Sequence, residues 1–281
     1  MKTIVHGGVT SETSQQQSVL QKASEAGTQE NNPTDAVISA IHILESCDLF
    51  NAGTGSAVQS DGIIRTDAGL MTEDLEVGAA CSMANIEHAI DVARVVKEKT
   101  PHILISGKNA VNLASDFDIS TDEDLWTNES RERWESLNHP VAASPKTQLE
   151  WLQEHFGGFD TVGAVATDGN NTAAATSTGG RWLALAGRVG DVPQPGSGFY
   201  CTPAGGVSTT GAGEDIARTN LSQRTIGYIS DGFDPQQAVD QAIEEFVELT
   251  DSVAGIIAID AEGNTGVTDN RNGMVSSITS S

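Results

Sequence analysis

The segment TDAVISAIHILESC, residues 34–47, spaces its apolar side chains three and four apart, and Pro33 stands where a first helical turn accepts it. IEHAIDVARVVKEKT, 86–100, repeats the helical period and puts Lys97 and Lys99 near the end of a helix that favours cations. DPQQAVDQAIEEFVEL, 234–249, is a strong amphipathic helix, and KTQLEWLQEHF, 146–156, a weak one. FNAGTGSAV, after the first helix, is a glycine-punctuated turn. HILISG reads as a short apolar strand, and residues 117–140 as a polar, acid-rich loop.

Strand patterns dominate elsewhere. MKTIV reads as a first strand, and TVGAVATD and TAAATSTGG flank GNN as a hairpin of tiny side chains. GVSTTGAGEDIARTNLSQRTIG passes from strand through a glycine turn into a helix, while AGIIAID and GMVSSI supply further strands. No internal repeat is visible. The second half opens and closes on consecutive strands, so sheets sandwiched between helices fit better than strict β-α-β winding.

The 281 residues leave room for one large α/β domain or two small ones. No run of eighteen apolar residues occurs, so no transmembrane helix is expected. The apolar run before HGG is too short for a secretory segment, which makes a cytoplasmic protein the expectation. A formal net charge of −24, from 39 acidic and 15 basic residues, argues against nucleic acid or an anionic membrane as partner. The acids are spread along the chain. They mark either a merely acidic protein or one adapted to high salt, where screening removes self-repulsion; scarce lysine and abundant aspartate favour the second. Cys47, Cys81 and Cys201 form neither a CxxC pair nor an even framework and read as reduced thiols. The six histidines lack HExxH or H-x3-H spacing, so a catalytic zinc site is not expected.

Several hydrolase and nucleotide signatures are absent: no G-x-S-x-G elbow, no phosphate-binding G-x-x-x-x-G-K-[ST] loop, no G-x-G-x-x-G after a strand. What remains is a set of Thr and Gly clusters and a bare Asp160-Thr161 junction at the head of TVGAVA. HGG at 6–8, LESCDLFNAGTGS at 44–56, DTVGAVATDG at 160–169, AAATSTGG at 173–180, LAGRVGDVPQPGSGFY at 185–200 and STTGAGED at 208–215 follow one another in a telling order and spacing. Together these blocks resemble the plant-type L-asparaginase and isoaspartyl peptidase family, threonine-type N-terminal-nucleophile (Ntn) hydrolases related to the glycosylasparaginases. The resemblance covers nearly the whole chain. It implies an α/β (α+β) fold, a four-layer αββα sandwich in a single domain spanning 1–281. It also implies self-cleavage into an α chain, 1–160, and a β chain, 161–281.

That cleavage has a physical logic. A threonine hydroxyl is a poor nucleophile without a base beside it. Once the preceding bond is broken, Thr161 gains an α-amine whose unperturbed pKa is about 7.7–8.0, partly neutral near pH 7. One residue then carries nucleophile and base. The resemblance implies that the Thr161 hydroxyl attacks the Asp160 carbonyl, that an ester forms by N-to-O shift, and that water cleaves it.

The remaining roles come from the same resemblance. Thr178 would hold the Thr161 hydroxyl. Arg188 would grip the substrate α-carboxylate with its paired donors, and Asp191 would take the α-ammonium. The Thr210 hydroxyl and the Gly211 N–H would form the oxyanion hole. Gly213 would let substrate approach the backbone, and Asn51 would position the nucleophile. Carbonyls of Leu44, Glu45, Cys47, Phe50, Ala52 and Thr54 would bind a structural sodium; the chemistry itself requires no cofactor. The implied partners are a small-molecule substrate, L-asparagine or a β-aspartyl dipeptide, and a second αβ protomer in a homodimer.

The chain departs from the family pattern in several places. Val9-Thr10-Ser11 follow HGG in place of Ala-Gly, and Phe159 replaces a common His. Asp160 replaces the Gly usual in plant-type members, and Asp-Thr is shared with glycosylasparaginases. Met71-Thr72-Glu73 replaces Met-Asp-Gly. WLALAGR replaces a polar, lysine-containing segment and is where leaving-group preference could change. A glycosylasparaginase, or an uncut protein that merely binds an amino acid, stand as the alternatives. Arg188 and Asp191 could also be an ordinary surface ion pair. Trp126, Trp134, Trp151 and Trp182 read as packing residues.

Overall fold

The computed structural model describes residues 1–9, 13–137, 144, 146–149, 160–271 and 273–281. One sheet contains β1 (Lys2–Val9), β2 (Arg65–Thr72), β3 (Val77–Ala84), β4 (Leu104–Ser106), β5 (Val162–Thr167), β6 (Thr172–Thr178) and β11 (Met274–Ser280), ordered β11-β1-β5-β6-β2-β3-β4. A second contains β7 (Phe199–Thr202), β8 (Gly205–Gly211), β9 (Ala254–Asp260) and β10 (Thr265–Asp269), ordered β10-β9-β8-β7. Neighbouring strands run antiparallel except the β3–β4 pair. The helices, in chain order, are α1 (Ser14–Thr28), α2 (Pro33–Glu45), α3 (Ala89–Lys99), α4 (Gly107–Asp116), α5 (Asn128–Glu135), α6 (Gly213–Thr219), α7 (Leu221–Ser230) and α8 (Pro235–Thr250).

Layering follows from which faces are apolar. Leu20, Val37, Ile41, Leu44, Ile90 and Ala93, from α1, α2 and α3, form one buried cluster with Val162, Ala164 and Ala166 of β5 and Ala173 and Ala175 of β6. Ile226, Ile229, Val239, Ala242 and Phe246, from α7 and α8, cluster with Val207 of β8 and Ile256 and Ala258 of β9. Between the sheets lie Ile4, Met71, Val165, Ala174, Phe199, Cys201, Ile257 and Ile259. The result is α-β-β-α, the four-layer sandwich expected. β5 and β6 are buried on both faces, which is why their side chains are so small. Alternation along β5 sends Val162, Ala164 and Ala166 toward the helices, and Gly163 and Val165 toward the second sheet.

The helix starts are chemically explicit. Asn32 caps α2 by accepting the Asp35 N–H, with Pro33 in the first turn, and Asp234 with Pro235 does the same for α8. Other elements differ from the pattern reading. α5 lies within the stretch expected to be loop: it buries no residue, so it has no apolar period, and it stands on a Thr127–Ser130 capping box. α4 buries only Ala110 and Ala114, and α1 begins with polar Ser-Gln-Gln-Gln, so both escaped the periodicity reading. β2 and β3 form a hairpin around Glu73–Glu76 whose period is blurred because both strands are buried on both faces. Asn220, in the left-handed region at φ 50°, divides the single helix expected after GAGED into α6 and α7. Residues 146–149 are helical, and the rest of that expected helix lies outside the described residues, as does Trp151.

The two sheets approach closely where glycines face the seam. A Cβ at Gly69 of β2 would land on the Phe199 ring of β7. Gly69→Ala is therefore expected to cost about 1–3 kcal/mol through overpacking, read as a Tm several degrees lower in a thermal scan; an unchanged Tm would show the seam to be loose.

Candidate active site

Thr161 sits immediately before β5 and is buried. Strand parity directs it, like Gly163, toward the second sheet. The carbonyl just before it, that of Asp160, accepts two hydrogen bonds: from Asn51 Nδ2 at 2.8 Å and from the Thr178 hydroxyl at 3.1 Å. Asn51 also donates to the Gly180 carbonyl at 2.6 Å and accepts the Ala57 N–H at 2.8 Å, which fixes its amide plane. Thr178 accepts the Gly180 N–H at 3.0 Å, leaving its hydroxyl hydrogen for Asp160. Gly8, at φ +99°, leaves room for the Asp160 side chain: a Cβ there would lie 3.0 Å from Oδ1. Burial raises the Asp160 carboxyl to about 6.

A narrow pocket opens beside the junction, lined by Asp160, Thr161, Thr178, Gly180, Arg181, Arg188, Asp191 and Gly211. Arg188 and Asp191 are not a surface pair. Asp191 is buried, and Arg188 turns its Nε to Glu214 Oε1 at 2.8 Å, leaving Nη2 and Asp191 Oδ2 buried without hydrogen-bond partners. Burial raises Asp191 to about 6 despite the Arg188 charge. Glu214 goes the other way: burial opposes ionisation, but the Arg188 hydrogen bond and charge win and hold it near 2. Gly213 abuts both side chains, since a Cβ there would lie 2.5 Å from Asp191 Oδ1 and 2.9 Å from Arg188 Nη2. Thr210 is fully buried on β8 opposite Gly255, one residue before pocket-lining Gly211.

Asn51 and Asp160 also line a second, wider cavity of about 220 Å³, together with Trp182 and Arg133. The Arg133 guanidinium lies 4.1 Å over the Trp182 ring. Trp182, Leu183 and Ala184 are buried, the first two packed with Val58, Ile64 and Leu125, so the first half of WLALAGR is core while Ala186 and Gly187 are exposed. From this segment Arg188 reaches the smaller pocket, as does Arg181 just before it.

Three neighbours of the pocket went unassigned from sequence. Glu214, directly after Gly213, orients Arg188; its place inside STTGAGED was the available signal. Asp67, opposite Thr178 across the β2–β6 pair, is buried, accepts the Ser82 N–H at 2.6 Å and is raised by burial to about 7. Nothing in TDAG announces that. His6, in HGG, is fully buried with Nε2 2.8 Å from Ser208 Oγ, and burial pushes it down to about 3, so the ring is neutral. A Cβ on Gly163 would strike both groups, so a glycine is needed there.

The loop after α2 folds back on its own carbonyls. The Thr54 N–H donates to the Glu45 carbonyl at 2.8 Å, and Gly53 and Gly55, at φ +53° and +94°, pass so close to the Glu45, Phe50 and Asp48 carbonyls that no side chain fits.

Two facing sheets between helix layers, with a buried threonine heading a central strand of the larger one, define an Ntn-hydrolase sandwich. The chain belongs to the asparaginase family, whose model, described as Asparaginase, matches residues 1–281. It is 38% identical over 247 residues to the plant-type L-asparaginase of Pyrococcus abyssi, covering 85% of this chain and 81% of that protein. It is 37% identical to an isoaspartyl peptidase/L-asparaginase of Macaca fascicularis, covering 82% and 74%, and 36% identical to the isoaspartyl peptidase of Salmonella typhimurium, covering 90% and 82%.

The raised Asp67 and Asp191 carboxyls carry a stability signature. Each folded value, about 7 and about 6, exceeds the ordinary 3.8, so the folded chain holds protons that the unfolded chain has released. These two groups therefore make stability fall as pH rises from about 4 to about 7. Asp191→Asn is expected to raise Tm at pH 7.5, with the gain fading by pH 5; a gain that does not change with pH would contradict the burial argument.

Proposed function

We propose that the chain is a self-processed amidohydrolase that converts L-asparagine to L-aspartate and ammonia and also cleaves β-aspartyl dipeptides. The observation that carries this reading is the doubly hydrogen-bonded Asp160 carbonyl beside Thr161, opening onto a pocket with one free guanidinium nitrogen and one free carboxylate oxygen. Asn51 and Thr178 polarise that carbonyl, so charge developing on its oxygen during attack by the Thr161 hydroxyl meets donors already in place. N-to-O shift and hydrolysis then give fragments 1–160 and 161–281. The new Thr161 amine becomes the base.

In turnover, Arg188 Nη2 takes the substrate α-carboxylate and Asp191 Oδ2 the α-ammonium, each satisfying a buried group that otherwise lacks a partner. Glu214 keeps Arg188 in place. Thr161 attacks the side-chain carbonyl, its amine accepts the hydroxyl proton, and the oxyanion rests on the Thr210 hydroxyl and Gly211 N–H. Ammonia or an amine leaves, and water releases aspartate from the Thr161 ester. The loop after α2 would hold sodium through the carbonyls named above, steadying Asn51 without entering the chemistry. A cytoplasmic homodimer of αβ protomers belongs to the same reading, and the net charge of −24 supports operation at high salt. Among the described residues no helix is long and apolar enough to cross a membrane.

Purified wild-type protein should run as two fragments in denaturing electrophoresis, with Thr161 at the start of the smaller. Thr161→Ala should run as one chain and release no ammonia from asparagine. An active, uncut Thr161→Ala protein would remove the nucleophile from this residue. Turnover of a glycosyl-asparagine faster than of asparagine would instead favour a glycosylasparaginase.

The pH profile gives an independent check. Asp191 must be ionised to hold an ammonium, and the Thr161 amine must be neutral to act as base. Wild-type kcat/KM for asparagine should therefore rise with pH between about 6 and about 8. A profile flat from about pH 5 to about pH 9, roughly one unit outside each value, would exclude both assignments.

A further inference from the structure

A second cluster of ligating side chains lies on the opposite face of β6 from the nucleophile pocket. His42 and Glu45, three residues apart, share one face of α2, and His88 stands just before α3. One ligand atom from each lies within 4.8 Å of the other two. Glu45 is fully buried, while the His42 and His88 side chains are 36% and 31% exposed, so two solvent-facing imidazoles cover a buried carboxylate floor. Glu45 Oε1 is anchored by the Ser177 hydroxyl at 2.6 Å and the Ile90 N–H at 3.2 Å; Oε2 faces His88 Nδ1 at 3.3 Å. The imidazole ring centroids are 4.5 Å apart. Two more carboxylates serve the rings: Asp91 Oδ1 lies 2.8 Å from His42 Nε2, and Glu87 Oε2 3.7 Å from His88 Nε2.

We propose that His42, Glu45 and His88 form a binding site for a first-row transition dication of the zinc type, separate from the reaction centre. Two imidazoles and one carboxylate are the donors zinc, cobalt and nickel select, whereas calcium and magnesium need more oxygens than this cluster offers. With Zn–N and Zn–O bonds of about 2.0–2.2 Å, tetrahedral ligand atoms stand about 3.4 Å apart. From a present spread of up to 4.8 Å, the partly exposed rings have to close by at most about 1.4 Å. Oε2 is the free donor of Glu45, because Oε1 keeps its two anchors. Asp91 and Glu87 supply the carboxylate partners that orient metal-bound histidines, and water completes the coordination. A chain of net charge −24 gathers cations at its surface, which raises occupancy.

The competing account makes Glu45 a purely structural brace between α3 and β6. Chelator-treated, metal-free protein separates the two by calorimetric titration with Zn²⁺ and by visible absorption with Co²⁺. The site predicts one tight equivalent of Zn²⁺ per chain, an intense four-coordinate Co²⁺ spectrum, and a Tm raised by Zn²⁺. His42→Gln and His88→Gln should each weaken Zn²⁺ at least tenfold, about 1.4 kcal/mol, and the double variant should lose the Tm response. Circular dichroism in chelator checks that the variants fold. Absence of a tight equivalent, its retention by the double variant, or a weak six-coordinate Co²⁺ spectrum in the wild type would each overturn the proposal. None of these readouts depends on turnover of asparagine.

Discussion

Everything in this structure is organised by the closeness of the two sheets along β5, β6 and β8. Both faces of β5 are covered, one by helices and one by a second sheet, so its side chains must be small and its backbone must meet its partners directly. Gly69 lies against Phe199, Gly163 against Ser208 and His6, and Gly206 against Val165; none of these positions has room for a Cβ without displacing its neighbour. This seam leads to the Asp160-Thr161 junction. The junction stands just before a strand paired on both sides and covered on both faces, and the Asp160 carbonyl there is held by Asn51 and Thr178.

The pocket's electrostatics follow from the same burial. Arg188 stands among Glu214, Asp191 and Asp67, and the acids do not respond alike. Glu214 makes a direct hydrogen bond with Arg188 and stays ionised near 2, while Asp191 and Asp67 feel the cation only through space and are raised to about 6 and 7. One carboxylate is thus committed to orienting the arginine, and a second is left costly to ionise until a cation arrives. A ligand bearing both an ammonium and a carboxylate relieves the unpartnered groups at once. On the proposed reading, specificity for an amino-acid end would arise from unsatisfied burial and not from surface charge.

Much of the fold was legible because amphipathic helices and small-residue strands leave opposite signatures. α2, α3 and α8 showed a 3.6-residue period, and the β5–β6 hairpin was marked by GNN between runs of Ala, Val and Thr. The elements that escaped were those without an apolar face of their own. α5 buries nothing, α4 buries two alanines, and β2 and β3 are buried on both sides and lose alternation. The site divides similarly. Thr161, Thr178, Arg188, Asp191 and Gly211 could be picked out through Thr and Gly motifs, and they converge on one pocket. Asp67 lies in an unremarkable short stretch and His6 inside the HGG block, but the chemistry of each comes from burial in the folded chain, His6 against Ser208 of the second sheet, 202 residues away. Sequence spacing carries no trace of such contacts. Glu214 sat inside a recognised motif, but only the hydrogen bond to Arg188 reveals what it does.

Glu45 shows how far one side chain can link these layers. Its carbonyl belongs to the glycine-pinched loop that presents Asn51, and its carboxylate holds Ser177, one residue before Thr178 on β6. Those two neighbours, Asn51 and Thr178, are the donors to the Asp160 carbonyl. A buried acid this well connected must keep its hydrogen bonds if the junction is to keep its geometry, and burial already works against its charge. The His88 imidazole, with Nδ1 3.3 Å from Oε2, works the other way and favours the charged carboxylate. The nucleophile pocket proposed on one face of β6 and the histidine cluster on the other are therefore two ends of a single chain of contacts, and what stabilises Glu45 from the helix side steadies the Asp160 carbonyl on the sheet side.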